Sequence, residues 1–385
     1  MFRSCIPQSP LGRLVGFLLL ASWLLGAAVP CLWDYDTLQQ ERSRFPTALE
    51  LITGQFPRHS ESYYRWRIED REARMAAGER TPEIFDDIAV AHSKLGDDKR
   101  AIALMAEKEA LHPGLYETIA NLGTFHIHAG ELEKGADYIV KAIQINPDAH
   151  FGREIYQELI VRYVLAQRAE RGASALPLDA SPTFQGNHKA RGFWKFILDD
   201  RKVSKGGQEE ELVRALRGVM GMLRFGNHDS PVLLEALSDL LLADSANDAK
   251  RLATRALLKA SYETPDEQAR HIYRSKAASL LQTGMQTPSP SINKTLPLEE
   301  LEKTFQAELV HAKGWWAKLE AQEQFWIKEG ADVDGRFADV YFSDRTHTID
   351  DGRGRYGAIT NYGKWAAGVL VALGVVLAGT LVMRK

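Results

Sequence analysis

Two stretches of 34 residues between positions 82 and 149 repeat each other, and no other feature limits the fold of this chain so tightly. Ala89 stands over Gly123, His92 over His126, Gly96 over Gly130, Ala101 over Gly135 and Pro113 over Pro147, each pair 34 apart. A fixed period with small residues at set places and a proline closing each unit describes an array of helical hairpins. Small residues remove bulk where two helices cross, so the backbones can approach. Gly96 and Gly130 supply the left-handed conformation that ends a first helix, and Pro113 and Pro147, lacking an amide hydrogen, end the second. Apolar residues at helical spacing, such as Phe85, Ile88, Leu104 and Met105, then Leu122, Ile139 and Ile143, give each unit a face that it cannot bury alone.

Over these 68 of 385 residues the chain resembles the tetratricopeptide repeat (TPR) family. Ala142 keeps a small residue in the second unit, whereas Lys108 stands where the family prefers one in the first. The resemblance implies an all-α, TPR-type helical-repeat solenoid with a binding and scaffolding role and no catalysis. It also implies a concave inner face, lined by Asp86, Val90, Ser93 and Lys94 in the unit 82–115 and by Ala120, Asn121, Thr124 and His128 in the unit 116–149. The family's best-known clamp holds a terminal carboxylate with basic and amide side chains, and Asp86 and Ala120 occupy places where such residues are needed. A mixed polar and apolar groove for an extended segment or helix of a protein or peptide partner is the expectation. The competing reading is a packed module whose groove is filled by the chain's own helices.

Outside the repeat pair the chain divides by composition. Residues 36–78 read as two helices capping the first unit and 150–169 as a helix covering the second, giving a domain over 32–170. Pro177, Pro182, Gly172 and Gly186 make 171–207 a linker. Helical patterns return over 208–283 as a second helical-repeat-like part, followed by a Pro- and Ser-containing linker over 284–297. A long amphipathic helix over 298–330 sets Phe305, Leu309, Ala312, Trp316, Leu319, Glu323 and Trp326 on one seam, with Glu323 interrupting its apolar character. That seam either lies back on the solenoid or pairs with a second copy. Residues 331–363 read as an irregular juxtamembrane stalk or small hairpin.

Both ends carry membrane signals. Arg3 and Arg13, an apolar run from Leu14 to Val29 and the small residues Gly26, Ala27 and Ala28 have the layout of a signal peptide over 1–28. Residues 364–383 hold an uncharged run beginning at Trp365 and closed by Arg384 and Lys385, long enough to span a bilayer as a single transmembrane helix. The expected topology is an exported body, in a bacterial periplasm, with a short cytoplasmic C-terminal tail. Only Cys5 and Cys31 exist, so the mature chain forms no internal disulfide; Pro30 opposes lipidation of Cys31, leaving a free thiol.

A net charge of −3 argues against nucleic-acid binding. Gly352-Arg-Gly354-Arg-Tyr-Gly357 has dinucleotide-binding spacing, but it lacks the preceding buried strand that such a loop needs. His126 and His128, two apart on a helix, point in nearly opposite directions and cannot clasp one ion. No catalytic, cofactor-binding or metal-binding residue is assigned. The leading expectation is therefore a membrane-tethered, non-catalytic scaffold for a protein partner. The alternative is a structural homo-oligomer organising the cell envelope through the long aromatic helix and the span, and an enzyme of unknown type ranks third.

Overall fold

The computed structural model describes residues 32–34, 37, 43–147, 152–172, 175–181, 191–244, 248–282 and 297–342. The signal segment, both cysteines, the Gly352–Gly357 string and the span over 364–383 lie outside the described residues. Among the described residues the fold is all-helical, without a strand, and no helix is long and apolar enough to cross a membrane.

The repeat appears as two hairpins with matching bounds. Helices α3 (Pro82–Lys94) and α4 (Asp98–Leu111) form the first, and α5 (Tyr116–His128) and α6 (Leu132–Ile145) the second, every terminus falling 34 residues after its counterpart. Their turns are closed by the same bonds. Gly96, at φ +83°, donates to the Ser93 carbonyl while Asp97 donates to His92, and Gly130, at φ +82°, donates to Ile127 while Glu131 donates to His126. His92 and His126 hold equivalent positions in the two units, each near the acid of its own turn, Asp97 at 3.8 Å and Glu131 at 2.8 Å. Close crossing is sharpest in the second unit. A Cβ on Gly135 would meet the Gly123 carbonyl oxygen at 2.9 Å and the Ile127 amide nitrogen at 3.0 Å, and one on Gly123 would strike the Ile139 side chain at 2.5 Å. In the first unit alanine suffices, and Ala89 and Ala101 are wholly buried.

The capping segments depart in part from expectation. The residues around Pro46 are not helical, and α1 (Ala48–Thr53) begins after it, nucleated by a capping box in which the Thr47 hydroxyl accepts from the Glu50 amide and the Glu50 carboxylate accepts from the Thr47 amide. Helix α2 (Glu61–Ala76) follows, and α7 (Arg153–Arg171) covers the second hairpin. The stretch 171–207 is not merely a linker. It contains α8 (Gly192–Asp200), whose Phe193, Trp194 and Ile197 are buried, and the carboxylate of Glu235 accepts from the Leu178 and Asp179 amides. Four further helices, α9 (Gln208–Phe225), α10 (Pro231–Ala243), α11 (Ala249–Glu263) and α12 (Glu267–Gln282), match the second helical part.

One apolar core joins these parts. It runs from Leu51, Ile52 and Phe56 through Ile139, along α7 to α12, to Phe305 of the long helix α13 (Leu298–Lys328). Helix α13 lies back on the body, against α1, α2, α11 and α12. Its seam residues Phe305, Ala312, Leu319, Glu323 and Trp326 are buried within the chain and Leu309 packs against the core, so this face is committed inside the chain. After it, α14 (Val333–Phe337) and one π-helical turn (Ala338–Phe342) replace the stalk or hairpin expected there, as far as Phe342. Val333, Phe337 and Phe342 pack with Trp326 and Tyr63 in a separate aromatic cluster.

Candidate functional site

Glu323 is the reason α13 stays on the body. An isolated buried carboxylate is costly unless it is paired and hydrogen-bonded. Here it faces His59 Nδ1 at 2.6 Å and accepts from the Ser60 amide at 2.9 Å and hydroxyl at 2.5 Å. One helical turn beyond the chain reversal, Asp334 accepts from Tyr63 Oη at 2.6 Å and from Arg67 at 3.2 Å, and it also pairs with Arg71. The ring of His59 stacks on Tyr63 at 3.6 Å between centroids. Far from spoiling the seam, Glu323 is its polar lock.

The expected groove residues divide into two groups. Asp86, Asn121, Thr124, Ser93 and Ala120 are buried against the chain itself rather than lining an open trough. Lys108 donates to Asp86 at 2.6 Å, and the Asn121 amide donates to the other Asp86 oxygen at 3.1 Å. Lys108 and Asp86, two of the three departures from the resemblance, are thus one buried pair. Burial pushes the Asp86 carboxyl up to about 7, against the pull of Lys108. Thr124 accepts from the Gln157 amide of α7 at 3.2 Å. The Ser93 hydroxyl donates to Asp98 at 2.6 Å and lies 3.0 Å from His128 Nδ1, which closes the turn side of the face.

What covers this part of the inner face is the segment 32–34. Asn121 Oδ1 accepts from the Trp33 amide at 2.9 Å and Asn121 Nδ2 donates to the Trp33 carbonyl at 3.0 Å, so one side chain clasps the backbone of a whole non-helical residue. The Trp33 ring meets Tyr116 edge-on at 6.0 Å, Leu32 enters the core of the first hairpin, and Asp34 pairs with Arg67 at 3.1 Å.

Val90 and Lys94 form the second group, and they line a cavity of about 210 Å³. The segment 32–34 closes one wall, and Phe56, Arg58 and Tyr64 of the loop before α2 and its first turn make another. The end of α9 with His228, and Trp316 of α13, complete it. Cations dominate the lining. Lys94 donates to the Phe225 and Gly226 carbonyls at 2.6 and 3.0 Å, capping the C-terminus of α9 where the helix dipole favours positive charge. Arg58 donates to the Gly54 carbonyl at 2.5 Å, and its guanidinium lies 4.7 Å from the Trp316 ring centre and 5.3 Å from that of Phe56. Arg224 reaches Ser43 Oγ at 2.7 Å. Burial holds Lys94 down at about 8 and Arg58 at about 10, and burial with neighbouring cations holds His228 down at about 3.

Val90 and Lys94 were legible as inner-face residues, but Arg58, Arg224 and His228 carried no sequence signal, since they come from loops and helix ends far apart in the chain. Trp316 was visible only as part of the seam. No group of three or more His, Cys, Asp or Glu residues suited to a metal ion occurs among the described residues. In comparison with known proteins, no family model matches the chain, and no curated protein or solved structure does so.

Proposed function

We propose that the chain is a non-catalytic scaffold of the TPR type, which binds a protein or peptide partner on the concave side of its repeats. In this reading the body is exported, residues 364–383 tether it to a membrane, and the tail after them is cytoplasmic. The main support is the clasp of Asn121 on Trp33: the repeat holds a non-helical residue through its backbone, the kind of contact a segment of any sequence offers. The part of that face left open is the cavity at Val90 and Lys94, with the aromatic rim of Tyr64 and Trp316. Docking of a partner is placed there.

A photo-crosslinking residue at Tyr64, compared with one at Glu133 on the outward helix of the second hairpin, tests this in intact cells. A discrete heterologous adduct from position 64 and none from 133 is expected. Equal adducts from both positions, none from either, or a chain-to-chain dimer alone would remove the reading.

A further inference from the structure

We propose that the central cavity is an oxyanion site, taking one carboxylate or phosphate group between Arg58 and Lys94. The inference deepens the reading of the concave face, on which the biological occupant rests; anion binding itself needs no partner to be measured.

The basis is a local imbalance of charge. Among the described residues, neither Lys94 nor Arg58 forms an ion pair with a carboxylate, and each instead donates to backbone carbonyls. The acids nearest in electrostatic influence are Asp34, Asp229 and Glu320, and the first two are committed elsewhere. Asp34 pairs with Arg67 at 3.1 Å, and Asp229 pairs with Lys259 at 2.7 Å. Glu61, also on the lining, is exposed and faces Arg65 at 3.5 Å. A third cation, Arg224, stands on the same wall. Enclosed positive charges without negative partners are unfavourable, and the lowered proton affinity of both groups is the expected response.

Geometry supplies the rest. Phe56 and Trp316 flank Arg58, a stacked arrangement suited to guanidinium and one that leaves its edge for planar or tetrahedral oxyanions. The carbonyls holding Lys94 take two of its three donors, leaving one. About 210 Å³ admits such a group with a short stem or a few waters, at the low end for a ligand site.

Titration calorimetry on the full chain in detergent, with sodium succinate and sodium phosphate as separate probes at constant ionic strength set by sodium chloride, tests the site. Saturable binding of at least one probe is expected, the stronger identifying a carboxylate or phosphate occupant. Lys94→Met or Arg58→Leu should weaken it at least tenfold while Lys141→Met leaves it unchanged. A second measurement uses the unaltered protein: acetylation of Lys94 with a limiting amine-reactive reagent, read by mass spectrometry, should slow severalfold with the bound probe, whereas Lys141 should not. Heat that does not saturate, equal binding to all variants, or Lys94 labelling slowed no more than by chloride would overturn the proposal. The crosslinking outcome at Tyr64 would stand independently of any of these.

Discussion

Asp86→Ala removes one member of a pair that is almost wholly enclosed, with Asp86 at 3% exposure and Lys108 at 0%. Breaking such a pair leaves an uncompensated buried ammonium and costs about 3–5 kcal/mol. Lys108→Met should cost less, about 1–3 kcal/mol, because Asp86 is already pushed up to about 7 and can take a proton instead of remaining charged. The double substitution replaces both by apolar groups, with no charge left behind, and should recover at least ~2 kcal/mol relative to Asp86→Ala. Urea unfolding of the full chain at pH 8, where Asp86 is ionised, followed by far-ultraviolet circular dichroism, gives all four corners of the cycle. A cost below ~1 kcal/mol for Asp86→Ala, or a double variant no more stable than that single one, would refute the view that Lys108 is held in the hairpin by this carboxylate.

Further outcomes follow from the same contacts. Glu323→Ala strips the His59 and Ser60 partners of their acceptor and should cost about 2–4 kcal/mol, seen as loss of hydrogen-exchange protection along α13 before the hairpins. Gly135→Ala, which sets a Cβ at 2.9 Å from the Gly123 carbonyl oxygen, should destabilise by about 1–3 kcal/mol, whereas Gly314→Ala, with nothing within 4 Å, should stabilise α13 by up to ~1 kcal/mol; thermal unfolding distinguishes the signs. His228 is depressed to about 3 by burial, so the unfolded chain protonates first; its contribution is full above ~6.5 and is lost as pH falls from there towards about 3. The urea midpoint of the unaltered chain should therefore fall relative to that of His228→Asn between pH 7 and 5, whereas Asp86 and Asp239, pushed up to about 7, add stability over the same window in both proteins. Protease added to spheroplasts should digest the body if it is exported, and complete protection would reverse the proposed topology.

The hairpins were legible because their determinants are local. Period, turn glycines and crossing residues all fall within 34 positions, and each acts on a neighbour in the next helix. Lys108 and Glu323 looked like violations because a pattern of small and apolar residues does not reveal ion pairs: Asp86 lies 22 residues away on the facing helix of the same hairpin, and His59 lies 264 away. Helix α8 hid in a stretch dominated by Pro and Gly, since nine residues give too few turns for a periodic signal. The inner-face positions could be named from the repeat, but not the segment 32–34 that Asn121 holds, because a short non-helical strap has no period of its own. For the same reason the cavity at Lys94 emerged only once loops and helix ends were brought together.

Helix α13 touches elements from both ends of the helical succession, α1 and α2 as well as α11 and α12. Stacks of hairpins joined only to their neighbours act as springs, opening and closing by small rotations at every joint. Here α13 ties the two ends together, locked at one end by Glu323 and Asp334. Pulling α1 and α2 away from α11 and α12 requires breaking that tie first, so the spacing between the two ends is fixed.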